Sequence, residues 1–274
     1  MIIWISSFPK SGNTWVRAII SSLIYSEDGI FNFKYLDKIN QFPRKRHFEG
    51  LTENFDDLSE IKKFWLLAQD RLNLDNKIKF LKTHQINCSI DGYPFTNSEN
   101  TAGTIYIVRD PRNLINSISN HFSKTPEEAK DLLFGKEMLF DKNIEDDVIT
   151  LIGSWKDHFN FWKNSNCLLL KYEDLVDNPE KQLNIIIEYL KKLIDFKINK
   201  KKIDNILRST SFQSLEKLEN NQEFAEAAIS KDLKSKVKFF YKGPSNCYKK
   251  DLDNKIRLDI ENAFNQEMKE LGYL

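Results

Sequence analysis

Four short, mainly apolar runs, each followed by turn residues or a polar motif, constrain the fold of this chain most strongly. The runs cover residues 2–6 (IIWIS), 78–82 (IKFLK), 104–108 (TIYIV) and 167–170 (CLLL). Apolar runs without regular polar alternation are typical of strands buried on both faces of a parallel sheet. The pattern predicts an α/β fold of three layers, with a central, mainly parallel sheet and helices on both faces.

Helical patterns follow the runs and supply the outer layers. Apolar residues at helical spacing predict a helix over 13–25. Asp110-Pro111 predicts a second helix start, because the aspartate caps free backbone N–H groups and the proline fixes a helical φ. A third helix is predicted over about 179–193, and an apolar stripe over 251–271 predicts one packing helix at the end.

Length and composition limit the classes of protein to consider. The chain has 274 residues, 41% of them hydrophobic, enough for one large α/β domain or two small ones, and no linker rich in Pro, Gly or Ser divides residues 1–274. A net charge of +1 argues against a nucleic-acid partner. Cys88, Cys167 and Cys247 lie far apart, which indicates a reducing compartment without disulfides or a zinc site. The sequence predicts no signal peptide and no transmembrane segment, and we expect a cytoplasmic protein.

The polar motifs occupy one edge of the predicted sheet. SFPKSGNT follows the first run, KTH follows IKFL, RDPR follows TIYIV and KYED follows CLLL. Ligands of parallel sheets bind at the carboxyl ends of the strands, so these motifs predict a common site. The mixed and charged segments 26–65, 121–150 and 218–240 are the predicted variable, substrate-facing parts of the chain.

The first of these motifs predicts an anion site. A strand that turns through Lys10, Ser11 and Gly12 into a helix presents free backbone N–H groups, to which Lys10 adds charge and Thr14 a hydroxyl. The alternative is an ordinary turn with a solvated lysine. The order differs from GxxxxGK[ST], in which a hydroxyl after the lysine holds magnesium. A sulfuryl group, which carries less charge than a phosphoryl group, suits this loop better than metal-dependent phosphoryl transfer.

Two further motifs supply candidate charges and a candidate base. His84 ends a predicted strand beside Lys82, where a neutral imidazole can act as a general base; the alternative is a structural histidine. Arg109 stands between a strand and a helix start, which favours a bound anion over a solvated arginine. Arg112, one turn further on, is expected in solvent, and Glu173 with its acidic neighbour is expected to open a helix.

The motifs, taken in order, resemble those of sulfotransferases that use 3′-phosphoadenosine 5′-phosphosulfate (PAPS). SFPKSGNTW resembles the phosphosulfate loop of that family, commonly YPKSGTTW. The other matching segments are KTH at 82–84, YIVRDPRNLINSISNHF at 106–122, KYEDLVDNP at 171–179, TSFQSLEK at 210–217 and Lys242-Gly243. The resemblance spans residues 2 to about 250 and implies a single sulfotransferase domain with a P-loop-like nucleotide-binding architecture.

The resemblance also implies roles for individual residues. The phosphosulfate would be held by Lys10, Ser11, Gly12, Asn13 and Thr14. The adenine would lie near Trp15, Tyr172 and Phe212, with Thr210 in the same segment as Phe212. The 3′-phosphate would be bound by Arg109 and Ser117, assisted by Lys242 and Gly243. His84 would be the catalytic base, Lys10 and Lys82 would neutralise developing charge, and no metal would be required.

Some positions depart from the family pattern. Asn13 replaces a threonine, and Tyr241 replaces an arginine that commonly binds phosphate. The expected activity is transfer of the sulfuryl group of PAPS to a hydroxyl or amine of a small-molecule, lipid or carbohydrate acceptor. A P-loop-type kinase and a non-catalytic nucleotide-binding protein are the alternatives.

Overall fold

A five-stranded parallel sheet forms the centre of the computed structural model, which describes residues 1–142, 144–164, 167–221, 224, 226 and 237–274. Its strands are β1 (Ile2–Ser7), β2 (Asn40–Gln41), β3 (Lys79–Thr83), β6 (Thr101–Val108) and β7 (Leu168–Lys171). Their order is β2-β3-β1-β6-β7, and every neighbouring pair is parallel. A small antiparallel hairpin joins β4 (Ser89–Ile90) to β5 (Tyr93–Pro94). The predicted parallel sheet is confirmed.

Helices surround the sheet. Before β6 they are α1 (Asn13–Tyr25), α2 (Leu58–Ile61) and α3 (Trp65–Asn73). Between β6 and β7 they are α4 (Pro111–Phe122), α5 (Pro126–Leu133) and α6 (Trp155–Lys163). After β7 they are α7 (Tyr172–Asp177), α8 (Pro179–Leu190), α9 (Lys200–Ser209), α10 (Phe212–Asn221), α11 (Tyr248–Asp251), α12 (Asn254–Ala263) and α13 (Asn265–Glu270).

The alternation of side chains along β1 divides the core into two apolar layers. Ile2 and Trp4 belong to a layer that includes the buried faces of α4, α6 and α12, whereas Ile3 and Ile5 belong to a layer that includes those of α1 and α8. Successive strand residues point to opposite faces, so one strand contributes to both layers. Helices therefore cover both faces of the sheet, as predicted.

Local sequence explains where the key helices begin. The Asp110 carboxylate accepts a hydrogen bond from the backbone N of Arg112 at 3.0 Å, and Pro111 occupies the first turn. At the C-terminus, the prediction of a single helix over 251–271 was wrong. This segment is divided into α12 and α13 at Phe264, which leaves helical geometry with φ −116° and ψ 22°. Phe264 itself stays buried, so the apolar stripe packs as expected although the helix is interrupted.

None of the helices in the described part of the chain combines the length and the apolar character needed to cross a membrane. Residues 222–223, 225 and 227–236 of the predicted substrate-facing segment 218–240 lie outside the described residues, as does residue 143 of the segment 121–150.

Candidate active site

The carboxyl ends of four strands bring the predicted motifs to one edge of the sheet. In the strand register, Ser6 of β1 lies opposite Thr83 of β3, and Val108 of β6 lies opposite Lys171 of β7. Ser7 lies opposite Ile107 on its other side. The residues that follow these strands therefore surround a common region, because all four strands run in the same direction.

The loop after β1 needs glycine at position 12. Gly12 has φ +104°, and a Cβ atom there would lie 2.7 Å from Cδ2 of Tyr172. Any other residue would combine backbone strain with a steric overlap. Lys10 also has a positive φ, of 65°. Tyr172, the first residue of α7, packs edge-to-face on Trp15 with ring centroids 5.8 Å apart, so the loop and these two rings form one unit.

Several polar atoms in this region are buried without a hydrogen-bond partner among the described residues. They are Nζ of Lys10, Oγ of Ser11 and Nε of Arg109. Lys10 Nζ lies 3.6 Å from the centroid of the Phe239 ring, and the Arg109 guanidinium lies 4.0 Å from that of Tyr172. Buried polar groups are normally paired. The Arg109 guanidinium donates from Nη1 to the backbone oxygen of Lys10 at 3.2 Å, but its Nε, the Lys10 ammonium and the Ser11 hydroxyl are left without a partner beside the start of α1, an arrangement that fits an anionic ligand.

The two lysines of the site have unusual titration behaviour. Burial lowers the pKa of Lys10 to about 7, and the carboxylate of Glu226 acts in the opposite direction. Burial likewise lowers the pKa of Lys82 to about 8, again opposed by Glu226. A bound anion stabilises the charged form of a lysine, so these side chains become fully cationic when an anion is present.

The ring of His84 is held against the loop after β1. Its Nδ1 lies 2.7 Å from the backbone oxygen of Ser7. A carbonyl oxygen only accepts, so Nδ1 carries the proton and Nε2 has a free lone pair. Burial and the positive charge of Lys82 lower the pKa of His84 well below its usual value. The imidazole is therefore neutral at physiological pH, with Nε2 able to accept a proton.

A carboxylate that the sequence did not single out also lies here. Glu226 accepts a hydrogen bond from Oγ1 of Thr14 at 2.9 Å and forms an ion pair with Arg17. Its Oε1 lies 3.5 Å from Nζ of Lys82. Burial acts to raise the pKa of Glu226, but the charges of Arg17 and Lys82 outweigh it and hold that pKa well below the usual range. In the sequence, the one sign of such a carboxylate was Arg17, a charged residue within the apolar pattern of α1.

The side chains of Asn13 and Thr210, both predicted to bind the cofactor, also make hydrogen bonds within the protein. The Asn13 amide nitrogen donates to the backbone oxygen of Ile5 at 3.0 Å and to Oγ of Ser7 at 3.2 Å, which ties α1 to the end of β1. The Thr210 hydroxyl donates to the backbone oxygen of Ile206 at 2.8 Å. The amide nitrogen of Asn13 and the hydroxyl of Thr210 are therefore occupied within the protein, whereas Oδ1 of Asn13 is buried without a hydrogen-bond partner among the described residues.

The late Lys242-Gly243 segment is brought to α4, the helix that carries Ser117. The Asn246 amide donates to the backbone oxygen of Asn113 at 2.7 Å, which docks this segment on α4. Gly243 packs on Phe212, and a Cβ atom on it would lie 2.2 Å from Cε2 of that ring. The Lys242 ammonium is paired with Asp251 at the surface, and Ser117 is half-buried.

The prediction of a solvated Arg112 was wrong. Its guanidinium is buried and pairs with Asp110 and with Glu261 of α12, each at 2.7 Å. It also donates to the backbone oxygen of Tyr273 at 2.8 Å. The burial results from the C-terminal helices, which pack over the start of α4, and a reading of the local sequence does not reveal them. The acidic start of α7 is as predicted, although Glu173 is also bonded to the backbone N of Asp110.

The chain thus combines a parallel α/β fold with a loop that fits an anion and a neutral imidazole beside that loop. The sulfotransferase domain family model matches residues 2–272, and the chain belongs to this family. It is an enzyme of the PAPS-dependent sulfotransferase class.

Curated relatives match nearly the whole chain. Luciferin sulfotransferase of Photinus pyralis is 26% identical over 94% of this chain and 69% of its own length. Sulfotransferase 1E1 of Bos taurus is 24% identical over 97% of this chain and 82% of its own length.

Two solved structures share the fold. Mouse sulfotransferase SULT7A1 complexed with PAP aligns with a TM-score of 0.60 at 21% identity, over 97% of this chain and 84% of that protein. Retinol dehydratase in a complex with retinol and PAP aligns with a TM-score of 0.61 at 17% identity, over 98% of this chain and 81% of that protein.

Proposed function

We propose that this enzyme transfers the sulfuryl group of PAPS to a hydroxyl or amine of a small-molecule acceptor, with His84 as the general base. The observation that carries the proposal is the bond between Nδ1 of His84 and the backbone oxygen of Ser7. It fixes a neutral imidazole beside the anion-binding loop with Nε2 free, which is the state a general base requires. The structures with PAP bound support PAPS as the donor.

The buried unpaired atoms of the site fit this donor. The ammonium of Lys10, the hydroxyl of Ser11 and the backbone N–H groups at the start of α1 would hold the phosphosulfate. Arg109 and Ser117 would hold the 3′-phosphate, with the Lys242-Gly243 segment docked beside them. Trp15, Tyr172 and Phe212 would border the adenine.

The bound donor supplies the sulfuryl group and leaves as adenosine 3′,5′-bisphosphate. Nε2 of His84 takes the proton of the acceptor hydroxyl or amine as that group attacks. Lys10 and Lys82 neutralise the charge that develops on the oxygens around sulfur, and they need no reorganisation because both are already buried in place.

The aromatic rings beside Lys10 support an apolar acceptor. Phe239, whose ring covers Lys10, packs edge-to-face on His121 at 5.5 Å and on Phe224 at 5.0 Å. Phe224 stacks on Phe33 at 4.5 Å. Apolar compounds are named for two solved retinol dehydratase complexes, retinol in one and androsterone in the other. We therefore favour an alcohol or phenol on an apolar skeleton over a sugar.

The test is incubation of the purified protein with sulfur-labelled PAPS and each of 4-nitrophenol, retinol, androsterone and glucosamine, with and without magnesium. We expect labelled product with at least one apolar hydroxyl acceptor, independent of magnesium. In a parallel incubation with γ-labelled ATP, transfer of the phosphoryl group that requires magnesium would instead indicate a kinase. Binding of adenosine 3′,5′-bisphosphate without any transfer would indicate a non-catalytic nucleotide-binding protein. Single-domain organisation over 1–274 and a cytoplasmic location stay predictions.

A further inference from the structure

His158 is a buried imidazole that the proposed reaction does not use. Its side chain is fully buried in α6, and the Tyr106 ring that stacks on it is fully buried as well. Two buried polar rings cost free energy unless their polar atoms are paired. The partners of these atoms therefore indicate what the pair does.

The two side chains form a directed chain of hydrogen bonds. His158 Nε2 lies 3.2 Å from the backbone oxygen of His84, and its Nδ1 lies 2.9 Å from the Tyr106 hydroxyl. The carbonyl only accepts, so Nε2 carries the proton and Nδ1 accepts from the tyrosine. The Phe8 ring packs edge-to-face on the imidazole of His158, with ring centroids 5.8 Å apart. Burial lowers the pKa of His158 to about 3 and raises that of Tyr106 well above its usual value, so neither group titrates near neutral pH.

His158 therefore contacts the reaction site at two points, the backbone of His84 and the ring of Phe8. Phe8 begins the turn that carries Lys10, and His84 is the proposed base. Two tryptophan side chains of α6 also donate hydrogen bonds to the backbone at the ends of neighbouring strands. Trp155 Nε1 donates to the backbone oxygen of Arg109 at 3.2 Å, and Trp162 Nε1 donates to that of Gln85 at 3.0 Å. Helix α6 therefore holds the backbone at the ends of both β3 and β6.

We propose that His158 and Tyr106 are positioning residues for sulfuryl transfer, which fix the backbone of the base relative to the donor loop. This inference rests on the proposed function of His84. An apolar pair of similar volume would fill the core without desolvating three polar side-chain atoms. The polar pair instead fixes the distance between the loop that holds the donor and His84, which takes the proton of the acceptor. A displacement of about 1 Å between reacting groups can reduce a rate by about 100-fold.

The matched variants are His158→Gln and His158→Asn. A glutamine amide nitrogen reaches the position of Nε2 and keeps the bond to His84, whereas an asparagine amide reaches only the position of Nδ1 and loses it. We expect His158→Asn to lower kcat by about 10- to 100-fold while the Kd for adenosine 3′,5′-bisphosphate stays unchanged. His158→Gln should recover most of the kcat. Tyr106→Phe, which removes the hydrogen bond to Nδ1 of His158, should lower kcat with the same unchanged Kd.

Each kcat is calculated per nucleotide-binding site, measured by titration, so that unfolded protein does not enter the comparison. Equal kcat values for the Gln and Asn variants, or a loss that affects kcat and nucleotide Kd alike, would overturn the inference.

A wild-type protein that transfers no sulfuryl group would refute the proposed function. The inference is then tested by NMR, through hydrogen exchange of the His84 Nδ1 proton, which is hydrogen-bonded to the backbone oxygen of Ser7. Protection of this proton from exchange in wild type and His158→Gln but not in His158→Asn supports the positioning role. The same protection in all three contradicts it.

Discussion

Thr14 donates its hydroxyl hydrogen to the carboxylate of Glu226 over 2.9 Å, at the helix start where a donor phosphate is expected to bind. The same carboxylate lies 3.5 Å from Lys82 and is paired with Arg17. When no donor is bound, Arg17 and Lys82 thus face the carboxylate of Glu226. A carboxylate and a phosphosulfate compete for these groups, because like charges at one site repel.

Glu226→Gln should therefore strengthen nucleotide binding. Removal of the negative charge leaves Thr14 and Lys82 free for the donor, and we expect the Kd for adenosine 3′,5′-bisphosphate to fall by about tenfold, or about 1.4 kcal/mol. Isothermal titration calorimetry measures this change. The melting temperature should fall at the same time, because Arg17 loses its buried partner.

Glu216→Gln is the control for this variant, since Glu216 pairs with Lys238 at the surface of α10. It should change neither the Kd nor the melting temperature appreciably. An unchanged or weaker affinity in Glu226→Gln would show that the carboxylate does not compete with the donor.

His84→Ala should separate binding from turnover. Loss of a general base reduces the rate by about 10²–10⁴-fold, while the nucleotide Kd stays close to that of the wild type because His84 bonds to Ser7 rather than to the cationic groups of the site. Steady-state kinetics and calorimetry on one preparation give both quantities. Turnover near the wild-type rate would remove His84 from the mechanism.

The pH dependence of kcat/KM for the donor should reflect the lysines rather than the base. The pKa of His84 is lowered well below its usual value, so the base is already deprotonated at pH 6.5 and activity falls only at lower pH. Lys10, with a pKa of about 7, and Lys82, with a pKa of about 8, must be charged to attract the anion. We expect kcat/KM to fall as the pH rises through this range.

Lys10→Arg tests this assignment, because arginine stays charged throughout the range. The alkaline decline should weaken or move to higher pH, even if the rate itself is lower. A profile identical to that of the wild type would exclude Lys10 as the titrating group.

Gly12→Ala should abolish donor binding. The substitution combines a φ of +104° with a Cβ atom 2.7 Å from the Tyr172 ring, so the loop or the ring must move. Gly50→Ala is a matched control, since Gly50 has φ +68° but no atom within 4 Å of the added Cβ. The control should lose a little stability and keep the nucleotide Kd. Normal binding by Gly12→Ala would show that the loop tolerates the displacement.

The fold was predictable because its signals are local. The apolar runs, the glycine and proline turns and the capping Asp110 each specify structure within a few residues, and α1 begins and ends where its apolar spacing predicts. The interruption at Phe264 was not predictable, because the apolar stripe continues through it. The candidate anion-binding loop and base could also be predicted, because parallel strands place the residues that follow them at one edge of the sheet.

By itself, the sequence determined the order of strands and helices and the edge at which the polar motifs meet, since these depend on short-range patterns and on strand direction. The tertiary structure alone decided which side chains complete the site. Thr14 meets Glu226 across 212 positions, Arg112 meets Glu261 across 149, and His158 reaches the backbone of His84 across 74. Such pairs leave no periodic trace in the sequence, because they form only when distant helices pack against the same end of the sheet.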